Sequence, residues 1–131
     1  MEDSIFTKII KGEIPSHKIY EDEKTIVIMD IFPVQSGNVL VIPKTQVEDF
    51  YDLPDEDYAA LFRTVKKVAA KLKAVFPNKK KIALQIEGLD VPHAHVKLFP
   101  IDNAEQFRAP NSTSEPDHQA LSEMAKRLNI N

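Results

Sequence analysis

From His93 to Leu98 the chain reads His-Ala-His-Val-Lys-Leu, and this alternation of polar and apolar residues commits the segment to an extended strand. On such a strand His93, His95 and Lys97 share one face while Ala94, Val96 and Leu98 share the other. The apolar face demands a core behind it, and the polar face is left free for chemistry. Same-face neighbours stand about 6.6 Å apart along the backbone, so their side chains can address adjacent atoms of one small ligand. The spacing predicts a strand over His93 to Phe99, with Pro100 ending the ladder.

The rest of the chain supplies partners for that strand. His17 to Tyr20 and Thr25 to Met29 read as an antiparallel hairpin joined through the acidic turn Glu21-Asp22-Glu23. Asp30 to Gly37 contains Pro33 and Gly37 and reads as a shaped loop, and the continuous apolar run Val39 to Ile42 reads as a central strand. Ile82 to Ile86 is a further strand. The clearest helix spans Pro54 to Val75, because Tyr58, Leu61, Phe62, Val65, Val68, Ala69 and Leu72 recur at helical spacing behind an acidic first turn. A short helix is expected over Ser4 to Lys11, capped by Asp3. A final helix carries Leu121, Met124, Ala125 and Leu128, with Ser114 as its cap and Asp117 at the reciprocal position. His17 and His118 show no clear partner. The fold class is α+β: an antiparallel sheet with a long packed helix and a C-terminal helix, in a single domain over residues 1–131.

Composition narrows the function. With 43% hydrophobic and 28% charged residues the chain is too apolar to stay disordered. Its 17 Lys and Arg against 20 Asp and Glu exclude a general nucleic-acid coat, so no nucleic-acid polymer is expected as partner. No apolar run is long enough for a bilayer span and Met1-Glu2-Asp3 is acidic where a leader is basic, so no membrane partner and a cytoplasmic location are expected. There is no cysteine, which removes thiolate nucleophiles and cysteine-based metal sites.

A neutral imidazole is a competent phosphorus nucleophile near neutral pH, and a lysine beside it stabilises phosphate oxygens. The strand face therefore suits a phosphate ester or phosphoramidate. Two competing readings stay open: zinc on the paired imidazoles, which Lys97 would repel and for which no third ligand is evident, and a purely structural histidine ladder.

The run Val91-Pro92-His93-Ala94-His95-Val96-Lys97-Leu98-Phe99-Pro100 resembles the signature of the histidine triad family of nucleotide hydrolases and transferases. The similarity extends through Gly12-Glu13-Ile14-Pro15-Ser16, Met29-Asp30-Ile31-Phe32-Pro33 and Gly37-Asn38-Val39-Leu40-Val41-Ile42-Pro43-Lys44. The resemblance implies a homodimer that binds a purine nucleotide or nucleotide conjugate and works through a nucleotidyl-histidine intermediate. By position His95 is the nucleophile on the α-phosphorus. The carbonyl of His93 orients it, and Lys97 takes the third triad place. Asp30, Ile31 and Phe32 match the segment that holds ribose and base, and Asn38, Gln85 and Gly88 fall on further nucleotide-contacting positions.

Four departures matter. Lys97 replaces an imidazole that could shuttle a proton, so leaving-group protonation is weakened and a nucleotide-binding regulator with weak or no catalysis is the alternative. Ser4 and Thr7 stand where many bacterial members carry a CxxC pair, and Gln46 where they supply a histidine to the same zinc site; the chain thus resembles the zinc-free members, with no metal and no cofactor expected. Asn38 replaces a histidine, and the stretch Gln85 to Asp90 is shorter than the common phosphate loop.

Overall fold

The computed structural model describes residues 1–130, and the expected domain's last residue, Asn131, lies outside them. Its elements run α1 (Ile5–Ile10), β1 (Lys18–Glu21), β2 (Thr25–Met29), β3 (Val39–Pro43), α2 (Asp55–Val75), β4 (Lys81–Gln85), β5 (Val96–Ile101), α3 (Ala104–Arg108) and α4 (His118–Leu128). A single 3-10 turn at Phe50–Asp52 leads into α2. The strands form one sheet in the order β1-β2-β3-β5-β4, and every neighbouring pair is antiparallel.

Both faces of the sheet centre are covered, which is why β2 and β3 read as unbroken apolar runs. Val27, Met29, Val39, Val41, Val96 and Leu98 point to the face packed by α2 and α4, where Leu61, Val65, Val68, Leu72 and Leu128 complete the main core. Ile26, Ile28, Leu40 and Ile42 point the other way and meet Phe6 from α1. Lys97 alternates with Val96 and Leu98, so it falls on the α1 side. The helix thus walls one side of the space that Lys97 faces.

Several expectations are corrected. Ser4, not Asp3, caps α1: its hydroxyl accepts from the Thr7 amide at 3.0 Å, and Asp3 instead pairs with Lys11 at 2.7 Å. Asp117, not Ser114, caps α4 by accepting from the Ala120 amide at 3.1 Å, because Pro116 biases Glu115 away from helical geometry. A short α3, capped by Asn103, follows β5 and was not among the expected elements. Pro100 does not end β5; it pairs with Ile82 inside the strand. It is tolerated there because β3 pairs with β5 only from Val96 to Leu98, so one neighbour has already left. His17 and His118 meet each other, with Nε2 and Nδ1 2.9 Å apart. No helix among the described residues is long and apolar enough to cross a membrane.

The loop from Asp30 to Asn38 is held by Gly37, whose φ of +85° is unfavourable for other residues. A Cβ at this position would stand 2.9 Å from the Phe76 ring at the end of α2. Gly37→Ala is therefore expected to cost about 1–3 kcal/mol, seen as a lower urea midpoint at unchanged slope. A midpoint matching wild type would show that neither the backbone nor the ring resists the methyl group.

Candidate active site

The chain turns tightly before β5. The His93 amide donates to the Val91 carbonyl at 2.8 Å, and the Ala94 amide donates to the Val47 carbonyl at 2.7 Å. His93 and His95 consequently precede the strand instead of lying on it, which corrects the expected shared face. His95 and Lys97 line one cavity, whereas His93 turns toward α1 and the end of β3.

His93 is fully buried. Its Nε2 lies 2.8 Å from the Pro43 carbonyl oxygen, which can only accept, so Nε2 carries the proton. The carbonyl of His93 in turn accepts from Nδ1 of His95 at 2.7 Å. With Nδ1 donating, the neutral His95 ring keeps its lone pair on Nε2, the nitrogen without a protein partner among the described residues. Phe6 packs edge-on against this ring with centroids 4.9 Å apart.

Lys97 donates to Asn111 Oδ1 at 3.3 Å and stands 3.8 Å from a Glu87 carboxylate oxygen. Asp30 accepts from the Phe32 amide at 2.9 Å, and this short turn presents Ile31 and Phe32, 39% and 41% exposed, at the cavity mouth. Burial pushes the Asp30 carboxyl above the usual range, while the Phe32 amide and, next, the Lys97 charge pull it back. Asn111 ties the two ends together by donating to the Phe32 carbonyl at 2.6 Å and facing Asp30 Oδ2 at 3.4 Å.

The cavity holds about 570 Å³, within the range of small-molecule sites. Its walls are largely apolar, from Ile5, Phe6, Ile9, Ile28 and Leu40, and its charged lining comprises one cation, Lys97, and three carboxylates, Asp30, Glu87 and Asp90. Besides His93, three more residues singled out in the sequence stand outside it. Asn38 is fully buried and braces its own loop, accepting from the Val34 amide at 2.9 Å and donating to the Val39 carbonyl at 3.2 Å. Gln85 pairs with Lys97 across β4 and β5. Gly88 has a φ of +65° in the following loop, whose Glu87 and Asp90 do reach the cavity. Asn111 was missed in the sequence because it sits in a polar stretch with no periodicity to mark it.

A family model described as HIT domain matches residues 11–104, most of the chain. The chain belongs to the HIT domain family. It is 36% identical to Protein hit of Bacillus subtilis over 138 residues, spanning 97% of this chain and 95% of that one. It is 37% identical to the adenosine 5'-monophosphoramidase of Candida albicans over 108 residues, covering 73% of this chain and 68% of that protein. Among solved structures, a Hit-like protein from Bartonella henselae superposes with a TM-score of 0.83 at 29% identity, covering 98% and 97% of the two chains. A zinc-bound histidine triad protein from Mycobacterium smegmatis gives 0.75 at 26% identity over 95% and 91%.

Burial holds the His93 imidazole below the usual histidine range, the neighbouring His95 adds to this, and the bond to Pro43 partly opposes it. The neutral ring thus favours folding fully above the ordinary value of about 6.5, and its contribution is lost as pH falls below that value. His93→Asn is expected to be less stable at neutral pH but to show a shallower loss of stability on acidification, the wild-type excess reaching at most about 1.4 kcal/mol per pH unit. Urea titrations from about pH 7.5 to about pH 5.5 check this; identical slopes in the two proteins would refute a neutral buried His93.

Proposed function

We propose that this protein is a nucleotide phosphoramidase that acts at the α-phosphorus through a covalent nucleotidyl intermediate on His95. The observation that carries this reading is the 2.7 Å hydrogen bond from His95 Nδ1–H to the His93 carbonyl, which leaves the Nε2 lone pair at the cavity beside Lys97. The relatives named as adenosine 5'-monophosphoramidases support the same reaction class.

In the first step Nε2 bonds to the α-phosphorus as the phosphorus–nitrogen bond to the leaving amine breaks, and the amine takes up a proton from solvent. In the second, water displaces the imidazole, giving the nucleoside monophosphate and free His95. Lys97 stabilises the phosphoryl oxygens through both steps. Asp30 accepts from ribose hydroxyls, and Ile31 and Phe32 cover a purine base. Gln85 and the Gly88 loop border the phosphate end, and Asn38 acts indirectly by holding the base-side loop.

Charge separates phosphoramidates from polyphosphates as substrates. A nucleoside phosphoramidate carries one negative charge near its reacting atom, matched by Lys97, whereas a polyphosphate would place several against Glu87 and Asp90. The homodimer and cytoplasmic setting belong to the same proposal; β4 leaves a free sheet edge with Leu84 exposed. A second reading, a nucleotide-binding regulator with little turnover, is favoured by Lys97 itself, since it cannot return a proton as an imidazole does.

The expected outcome is release of AMP from adenosine 5'-phosphoramidate, with kcat/KM lowered at least about a thousandfold by His95→Ala and lower activity on a dinucleoside polyphosphate. Turnover equal to that of His95→Ala would overturn the catalytic reading. If calorimetry then showed AMP bound without turnover, the regulatory reading would stand instead.

A further inference from the structure

Behind His93, on the side away from the cavity, the first turn of α1 meets the loop after β3. Ser4, Thr7, Gln46 and His93 converge there. Ser4 Oγ lies 2.6 Å from His93 Nδ1, and Thr7 Oγ1 lies 2.5 Å from Gln46 Oε1. The same amide oxygen accepts from the Ser4 backbone N–H at 2.9 Å, and Gln46 Nε2 donates to the Glu2 carbonyl at 2.8 Å.

Proton counting orders the cluster: Ser4 Oγ has one proton, and it stands 2.6 Å from His93 Nδ1 against a longer 3.2 Å from Thr7 Oγ1. Nε2 of His93 donates to Pro43, so Nδ1 of the neutral ring holds a lone pair and Ser4 must donate to it. Ser4 Oγ keeps its acceptor side for the Thr7 amide at 3.0 Å. Thr7 turns its own proton to Gln46, whose amide is oriented by the Ser4 N–H. No buried side-chain polar atom among the described residues is left without a partner.

A zinc-bound relative raises the question of a metal at this spot, where the family resemblance places zinc ligands. The residues present do not fit one. Two neutral hydroxyls and an amide oxygen are poor zinc donors, and the one imidazole lone pair is already held by Ser4. No group of three or more His, Cys, Asp or Glu among the described residues is arranged to hold a metal.

We propose that Ser4 is a positioning residue: its hydroxyl donates to Nδ1 and, with the Pro43 carbonyl at Nε2, clamps the buried His93 ring, and so holds the His93 carbonyl where it orients His95, with Thr7 and Gln46 locking Ser4 in the donating sense. This rests on the reading that His95 is the nucleophile. Without the Ser4 proton, Nδ1 of the buried ring has lost its close donor and only the Pro43 carbonyl still holds the imidazole. The ring is then free to shift, and the main chain that aims His95 shifts with it. A hydroxyl at the N-cap of a six-residue helix thereby helps hold the carbonyl that decides which nitrogen of His95 faces the cavity.

The test combines kinetics with nitrogen-15 NMR of the histidine rings. Wild-type His93 is expected to be protonated on Nε2 with an Nδ1 resonance shifted by its hydrogen bond from Ser4, and Ser4→Ala to keep the Nε2 proton while the Nδ1 resonance moves toward that of an unbonded imidazole nitrogen. Ser4→Ala is expected to lower kcat by about 10–100-fold with KM changed by less than about twofold. Ser4→Thr keeps the hydroxyl and is expected to restore most of the rate. Chelator treatment is expected to leave the wild-type Tm and turnover unchanged. Four results would overturn the proposal: His93 protonated on Nδ1 in the wild type, a folded Ser4→Ala with wild-type kcat, Ser4→Thr as impaired as Ser4→Ala, or a Tm that falls on chelation. The wild-type NMR result needs no variant, so the proposal stays testable even if Ser4→Ala does not fold. A His95→Ala control run in parallel separates the two ideas: if that control turns over normally, the nucleophile assignment fails, whereas its loss beside an unaffected Ser4→Ala sinks only the positioning role.

Discussion

The hydrogen bond from His95 Nδ1–H to the His93 carbonyl is the contact on which the active-site geometry depends, because it joins the backbone turn before β5 to the protonation pattern of a ring. A carbonyl cannot donate, so the bond decides which nitrogen of the neutral imidazole carries its lone pair. The turn itself is held from three directions: by the Val47 carbonyl on the Ala94 amide, by the Pro43 carbonyl on the His93 ring, and by Ser4 on the same ring. The holders come from the end of β3, the loop that follows it and the N-cap of α1, so the turn is set by residues distant from it in the chain.

Electrostatics set what this ring can meet. One lysine, drawn toward Glu87 and Asn111, faces a cavity that also holds Asp30 and Asp90. Such a lining suits a single phosphoryl charge and an uncharged or cationic leaving group better than a polyanion. The apolar walls from α1, β2 and β3 lie on the opposite side of the sheet from the main core. A ligand can therefore occupy this side without disturbing the packing of α2.

Much of the architecture was legible because its cause is local. The 3.6-residue spacing of Leu61, Val65, Val68 and Leu72 marks α2, and the doubly buried strands β2 and β3 show as continuous apolar runs. What escaped was set by distant partners. The alternation from His93 to Leu98 is real, yet the Val47 and Pro43 carbonyls bend its first residues out of the strand, and no periodicity encodes that. Caps were misplaced by one to three positions where two acceptors competed, as with Asp3 and Ser4. Asn111 lies 81 residues from Asp30 in the chain, so only the fold brings them together.

The most direct test of the account is to quench a single turnover of an adenosine phosphoramidate in alkali, where a phosphohistidine survives, and to map the modified peptide by mass. The account predicts an adenylyl group on the peptide containing His93 and His95, localised to His95 and absent from His95→Ala. An adduct on another residue, or turnover that proceeds with no adduct at any time point, would contradict it.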